Sequence, residues 1–168
     1  MKRIGLITAL LYVMILTCYS QKQEETKTSF KDIQHLNIEL HPAFDKNCCL
    51  TIDTSKKSAF FIVFSEENKE IFKEEISYTD LINKCNVQSL FTESVLKNYQ
   101  YNPEKGQNED GMGVEFKYQT KTKNGIVDAG NDYKQQLSDI ITCSLTRIKI
   151  NSKDSEIISY IDQLIKYL

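Results

Sequence analysis

The segment VEFKYQTKTKNGIVDA, residues 114–129, decides the fold because it predicts two paired strands and assigns their faces. Val114, Phe116 and Tyr118 alternate with polar residues, and this period of two is typical of a half-buried strand. The Asn-Gly pair at residues 124–125 is the preferred sequence of a two-residue hairpin turn. Together these features predict a β-hairpin with one apolar and one polar face.

A turn at this Asn-Gly pair would also fix the register of the hairpin. Val127 would share the apolar face of Phe116, because side chains two residues apart lie on the same face of a strand. Lysines on the polar face either recognise an anionic partner or keep the strand edge from pairing with other chains. The predicted pairs are Lys123–Ile126, Thr122–Val127 and Lys121–Asp128, and the basic strip comprises Lys117, Lys121 and Lys123.

Three to four further strands are predicted before the hairpin. Residues 35–41 alternate apolar and polar side chains, and residues 48–53 form a second strand between two turns. Residues 58–64, SAFFIVF, are apolar on both faces of a strand, which predicts a central position with both faces covered. Residues 70–76 are rich in charge and are interpreted either as a fourth strand at an edge or as a helical segment.

Helices are predicted on both sides of the hairpin. Thr79 or Asp80 is expected to cap one or two helices before it. After it, residues 130–132 are expected to cap a helix that changes into a short strand near residues 146–150. The last segment is a one-sided amphipathic helix. Its apolar residues are Ile157, Ile158, Ile161, Leu164, Ile165 and Leu168.

The order of these elements predicts an α+β fold with an antiparallel sheet of three to four N-terminal strands plus the β-hairpin, and helices packed on one face. Residues 31–168 are expected to form this single domain, since their number is typical of one domain. In this layout the chain resembles small exported bacterial proteins and lipoproteins of unknown function. The resemblance concerns architecture and implies no site residues.

Residues 1–20 have the composition of a secretory signal peptide. Lys2 and Arg3 precede an uncharged, mostly apolar run over residues 4–16. This run of about thirteen residues is shorter than the roughly twenty that a membrane-spanning helix needs. Cleavage after Ser20 would produce a soluble periplasmic or secreted protein.

The alternative to soluble export is a lipid anchor. The sequence Ile-Leu-Thr-Cys at residues 15–18 resembles the lipobox of bacterial lipoproteins, which implies acylation of Cys18 and an outer-membrane or surface location. Membrane contact would then occur only through this anchor. Residues 21–30 are polar and predict a flexible tether.

Four cysteines follow the predicted leader, and an even number in an exported protein predicts disulfides. Adjacent cysteines on a strand point to opposite faces, so at most one of Cys48 and Cys49 is expected to face the helices. The preferred bond joins that cysteine to Cys85 or Cys143 and would stabilise the fold by about 2–4 kcal/mol. The alternative is that some of the four are buried apolar residues.

No catalytic, cofactor-binding or metal-binding motif is present in the sequence. His35 and His41 lie about 20 Å apart along a regular strand, too far to share one ion. The remaining metal hypothesis combines His41 with Cys48 and Cys49, and no metal or cofactor is predicted. A net charge of −2 gives the chain no general attraction for nucleic acid.

These observations predict a non-catalytic interaction module of the cell envelope, such as an inhibitor or immunity-type protein, whose partner is another envelope protein. Tyrosines near the loop at residues 101–113 are further interface candidates because they combine apolar area with a polar tip, and the alternative is that they form the rim of the core. The alternative is a small envelope enzyme or ligand carrier that uses His35, His41 or Glu109. The interface candidates are Tyr99, Tyr101, Lys117 and Tyr118.

Overall fold

A computed structural model describes residues 32–43, 46–103, 111–131 and 133–168. Asp32–Leu168 form one compact unit. The predicted signal peptide at residues 1–20, the tether at residues 21–30 and Cys18 lie outside the described residues. Within the described ranges, no helix has the length and apolar character needed to cross a membrane.

The described chain contains six strands, four α-helices and one 3₁₀ turn. The first half holds four strands and two short helices, and the second half holds the hairpin and two longer helices. In chain order the elements are β1 (Ile33–His41), β2 (Cys48–Asp53), β3 (Ser58–Phe64), β4 (Glu70–Ile76), α1 (Tyr78–Cys85), the 3₁₀ turn (Val87–Leu90), α2 (Glu93–Lys97), β5 (Gly113–Thr120), β6 (Asn124–Gly130), α3 (Gln135–Asn151) and α4 (Ser155–Lys166).

The strands form one antiparallel sheet in the order β4-β3-β2-β1-β5-β6. The predicted α+β class is confirmed, and β4 lies at an edge as its charges predict. The hairpin joins the N-terminal strands through β1, where Ile38 pairs with Phe116. β1 is therefore an inner strand, although it is the first of the described strands.

One face of the sheet packs against the helices and forms the core. Alternate residues of each inner strand are buried there, together with the apolar stripes of α1, α3 and α4. On the strands this buried set includes Leu36, Ile38, Leu40, Leu50, Ile52, Ala59, Phe61, Val63, Val114, Phe116 and Val127. We call the opposite face, which no described helix covers, the open face.

The expectation that both faces of β3 are covered is wrong. Ala59, Phe61 and Val63 are buried against the helices. Phe60, Ile62 and Phe64 lie on the open face and remain partly exposed. The apolar run in the sequence therefore reflects a buried face and a partly exposed apolar surface, since all the described helices lie on one side.

The predicted hairpin exists, but its turn lies earlier than the Asn-Gly pair. Lys117 pairs with Ile126 and Phe116 pairs with Val127, so the predicted register is wrong. The turn is built by Thr120, whose hydroxyl accepts hydrogen bonds from the N–H groups of Thr122 and Lys123 at 3.3 and 3.1 Å. Val127 nevertheless shares the face of Phe116. Its partner changes from the predicted Thr122 to Phe116, and a shift by an even number of residues keeps a side chain on the same face.

Gly125 has a packing role instead of a turn role. It lies in β6 opposite Tyr118, and an added Cβ atom would come within 2.2 Å of the ring carbon Cζ of Tyr118. The glycine thus makes room for the aromatic ring on the strand surface. The left-handed backbone that favours glycine occurs at Gly130, where φ is 62°.

Three predicted helix features are also corrected. Ser77 caps α1 by accepting a hydrogen bond from the N–H of Asp80, so neither Thr79 nor Asp80 is the cap. No side chain caps α3, which begins after Lys134. This helix continues through residues 146–150 without a strand. The last amphipathic helix is confirmed as α4.

The disulfide joins Cys85 at the end of α1 to Cys143 in α3, with Cα atoms 5.3 Å apart. The preferred bond to Cys48 or Cys49 is therefore wrong, and both of these cysteines are free. Cys48 faces the core and Cys49 pairs with Glu39 on the open face, so they point to opposite sides as predicted. Packing of α1 on α3 brings the bonded pair together.

Candidate functional site

The open face is divided into an apolar end and a polar end. The polar end lies on β1 and β5, where most outward side chains are charged or carry amides. The apolar end lies on β3 and β4. We define the polar end as His35, Asn37, Glu39, His41, Glu115, Lys117 and Gln119. We define the apolar end as Phe60, Ile62 and Phe64, together with Ile71 at the adjoining edge of β4, where Ile71 also lines the groove on the helix side.

Cross-strand pairing holds a charge cluster at the polar end. Glu39 and Glu115 are directly opposite each other on β1 and β5. The ammonium of Lys117 lies 2.6 Å from a carboxylate oxygen of Glu39 and 3.2 Å from one of Glu115. The hydrogen bond to Glu39 raises the pKa of Lys117, so this lysine remains charged at neutral pH. It thereby separates two carboxylates that would otherwise repel each other.

The same cluster contains the one metal-like grouping found among the described residues. Ligand atoms of Glu39, His41 and Glu115 lie within 4.8 Å of one another. Lys117 already supplies the positive charge between the two carboxylates, because its ammonium bonds both of them. A cation would have to displace this ammonium, and the geometry alone does not make the cluster a metal site.

The alternative grouping of His41 with Cys48 and Cys49 does not form in the described part of the chain. Cys48 is buried in the core, and burial raises the pKa of its thiol to about 12. Burial also raises the pKa of Cys49 to about 11. Both thiols are therefore protonated at neutral pH, whereas metal ligands and nucleophiles are thiolates.

His35 belongs to a separate contact with Asp53. Its Nδ1 atom lies 3.5 Å from a carboxylate oxygen of Asp53, which pairs with it across β1 and β2. Burial acts to raise the pKa of Asp53, but N–H donors from Lys56 and Ser55 and the nearby His35 charge outweigh it, so the pKa is lowered. The carboxylate thus organises the turn after β2. None of the described hydrogen bonds connects this pair to a hydroxyl or thiol nucleophile.

The four interface candidates occupy two different places. Tyr99 and Tyr101 line a small cavity of about 100 Å³ beside Tyr133. Lys117 and Tyr118 line a shallow groove of about 460 Å³ at the polar end. Tyr99 and Tyr118 are each only 7 % exposed, so most of their ring area is buried in the core and is not available to a partner. Glu109, the acidic candidate, lies outside the described residues.

The sequence pattern does not predict that the apolar end is an exposed surface, because it predicts that both faces of residues 58–64 are covered. Ile71 is 51 % exposed on β4, and the ammonium of Lys73 lies 4.9 Å from the ring centroid of Phe60. A lysine in this position covers an aromatic ring while its charge remains in water. The sequence SAFFIVF at residues 58–64 indicates this surface, because a strand that is apolar on both faces exposes apolar side chains wherever one face is not covered.

Glu93, in the first turn of α2, forms two ion pairs. Its carboxylate lies 2.6 Å from the ammonium of Lys123 and 2.6 Å from that of Lys97. Hydrogen bonds from Lys123 and then Lys97 lower the pKa of Glu93 to about 2. These contacts connect the hairpin turn to α2.

We expect Glu93 to titrate near pH 2 in an NMR titration of its carboxyl carbon, and Lys123→Ala to raise this midpoint toward the ordinary value of 4.5. Because the folded pKa is lowered, the pair stabilises the fold above pH 4.5, and this contribution is lost as the pH falls through about 2. Lys121→Ala is the control, since its side chain forms no ion pair with a described residue. An unchanged midpoint in Lys123→Ala would contradict the assignment.

Comparison with known protein families, curated proteins and solved structures gives no significant match for this chain.

Proposed function

We propose that this chain is an exported, non-catalytic interaction module that binds another protein of the cell envelope through the apolar end of its open face. The observation that carries the proposal is the group of partly exposed apolar side chains on β3 and β4. Protein interfaces are built around such apolar and aromatic anchors, surrounded by a polar rim. The polar end provides that rim on the same face.

The arrangement of charged groups also supports a binding role. Lys117 is held by Glu39 and Glu115, and His35 is held by Asp53. Catalysis requires a nucleophile, base or acid aligned with a second group. Binding requires complementary shape and charge, and this face offers apolar and charged side chains for such a contact.

Export is the second component of the proposal. Residues 1–20 have the composition of a signal peptide, and the Cys85–Cys143 disulfide is of a kind that persists in oxidising compartments. The mature chain begins either at Gln21, as a soluble protein, or at an acylated Cys18, as a lipoprotein. The intact mass of the chain purified from an exporting bacterium distinguishes these two forms.

The binding role is tested by affinity capture from envelope extract. Ile62→Ser removes apolar area from the open face, whereas Ile150→Ser is a matched control on α3, where Ile150 is 66 % exposed. We expect one protein partner to be captured in stoichiometric amount by the unmodified chain and by Ile150→Ser. Its affinity for Ile62→Ser should fall by about tenfold or more, since a buried apolar anchor contributes more than 1.4 kcal/mol.

Circular dichroism of each variant checks that the fold is retained. Capture that is equally strong with both variants would place the interface elsewhere. Absence of any stoichiometric partner, together with turnover that His35→Ala abolishes, would replace the interaction module with a small envelope enzyme.

A further inference from the structure

The two edges of the sheet differ in what covers them. At β6, the backbone N–H of Tyr101 donates to the carbonyl oxygen of Asp128 at 2.7 Å, and the side-chain amide of Gln100 donates to the same oxygen at 3.2 Å. At β4, no backbone hydrogen bond reaches a described residue outside β3. Among the described residues, β4 is therefore the edge whose outward backbone groups meet no other segment, and such groups can accept an added strand.

Hydrogen bonding of β3 shows which groups of β4 are unpaired. The N–H of Phe64 donates to the carbonyl oxygen of Asn47 at 2.9 Å, so it points away from β4. Backbone groups alternate in direction along a strand, so those of Phe61 and Val63 point toward β4. There they form hydrogen bonds with the β4 residues that pair with them. The backbone N–H and C=O groups of the β4 residues between those partners point away from the sheet.

The register assigns these residues by number. Phe61 pairs with Glu74, and Ala59 pairs with Ile76. The backbone N–H and C=O groups of Lys73 and Glu75 consequently face away from β3. An incoming strand would find two donors and two acceptors in its hydrogen-bonding plane.

The side chains around this edge are acidic. β4 carries three glutamates and one lysine. On the helix side, a carboxylate oxygen of Glu74 is buried and has no hydrogen-bond partner among the described residues. A buried acceptor of this kind gains from a donor that a partner supplies. A basic segment meets this requirement and also complements the charge of the strand.

A groove beside the edge has space for an apolar side chain. It has a volume of about 460 Å³ and lies between β4 and the first turns of α4. Phe72 and Ile157 supply apolar walls, while Asp154 and Glu156 add acidic groups at its rim. Lys46 also lines the groove, so its lining carries two acidic side chains and one basic side chain beside the apolar walls.

We propose that β4 accepts an extended basic segment of the partner protein as a seventh strand of the sheet. Lysine or arginine residues of that segment pair with the glutamates of β4, and an apolar residue fills the groove beside Phe72. This inference rests on the proposed binding function and specifies how the partner attaches. A second copy of the chain fits poorly, because two β4 edges would bring glutamates of like charge together.

The direct test uses a fluorescent seven-residue peptide of alternating lysine and valine with blocked ends, and fluorescence anisotropy with the full chain purified after export. Two further peptides carry N-methyl groups on all the valines or on all the lysines. In an added strand only alternate N–H groups face the sheet edge. We expect one methylated peptide to bind about tenfold more weakly and the other to retain its affinity within about twofold. A peptide with glutamate in place of lysine should not bind.

Variants of the protein provide the complementary test. Lys73→Pro removes an outward N–H and leaves the ladder to β3 intact, so it should weaken peptide binding about tenfold. Lys73→Ala is the matched control, because it loses the same ammonium but keeps the N–H, and its affinity should stay within about threefold. If Lys73→Pro fails to fold, the pair of methylated peptides decides the question.

The outcomes separate this inference from the proposed function. Equal affinity of the two methylated peptides, or a folded Lys73→Pro variant that binds as the unmodified chain does, would overturn strand addition. Dimerisation of the chain that Lys73→Pro abolishes would also overturn it, with a second copy as the occupant. Loss of the envelope partner in Ile62→Ser but full retention in Lys73→Pro would leave the binding function standing and remove only the added strand.

Discussion

Phe61→Ala is expected to lower the free energy of unfolding by about 3–5 kcal/mol. Phe61 is fully buried in the middle of β3, between the sheet and the helices. Its removal loses the transfer free energy of the aromatic ring and leaves a cavity that a close-packed core fills only in part. Urea unfolding monitored by circular dichroism measures the change.

The neighbouring Phe60 provides a matched control for this prediction. It has the same side chain one residue earlier, but it is partly exposed on the open face. Phe60→Ala should therefore destabilise the fold much less, while it weakens capture of the envelope partner. Equal losses of stability in the two variants would mean that the open face is packed as tightly as the core, which contradicts the division of faces.

Much of the sheet could be predicted because one face is buried. Residues 35–41 alternate strictly, since every second side chain contacts the helices and the others face water. The bounds of β2, β3 and β4 were recognisable because polar turns separate the runs. The edge position of β4 followed from its charges.

The hairpin register could not be predicted, because two local signals compete. The Asn-Gly pair favours a two-residue turn. In the structure Thr120 instead donates its backbone N–H to the carbonyl oxygen of Lys123 at 2.8 Å, which closes a four-residue turn earlier in the chain. The observed register places the Tyr118 ring against Gly125, and a packing contact of this kind is not visible in a turn motif.

α3 illustrates the same limit for helices. Thr146, Ile148 and Ile150 alternate with polar residues, which predicts a strand. In the helix Ile148 is buried while Ile150 is 66 % exposed, so only one of the two isoleucines contacts the core. Thr146 donates its hydroxyl to the carbonyl oxygen of Thr142 at 2.8 Å, an arrangement compatible with helical backbone.

The candidate site depended on information that the sequence does not contain. Apolar residues on both faces of β3 were visible, but their interpretation requires knowing on which side the helices lie. Helices on one side leave Phe60, Ile62 and Phe64 as surface. Which edge of the sheet is covered likewise depends on the contact of Tyr101 with β6, which connects distant parts of the chain.

Removal of the disulfide is expected to produce the other large effect. The bond links positions 58 residues apart, and closing a loop of this length stabilises the folded state by about 4 kcal/mol in the chain-entropy treatment. The double variant Cys85→Ala/Cys143→Ala should therefore unfold at lower urea concentration, with a loss of about 2–4 kcal/mol. The loss arises chiefly in the unfolded chain, because α1 and α3 retain their other packing contacts.

A reductant provides the matched comparison for this prediction. Dithiothreitol should lower the stability of the unmodified chain and of Cys49→Ser, because Cys49 is free, and should leave the double variant unchanged. Peptide mapping without reduction should recover Cys85 and Cys143 in one cross-linked species. A cross-link that contains Cys48 or Cys49, or a reductant effect that persists in the double variant, would show that another pair of cysteines is bonded. A cross-link that takes Cys85 or Cys143 away from its observed partner would also require α1 to pack differently on α3, since the observed bond joins these two helices.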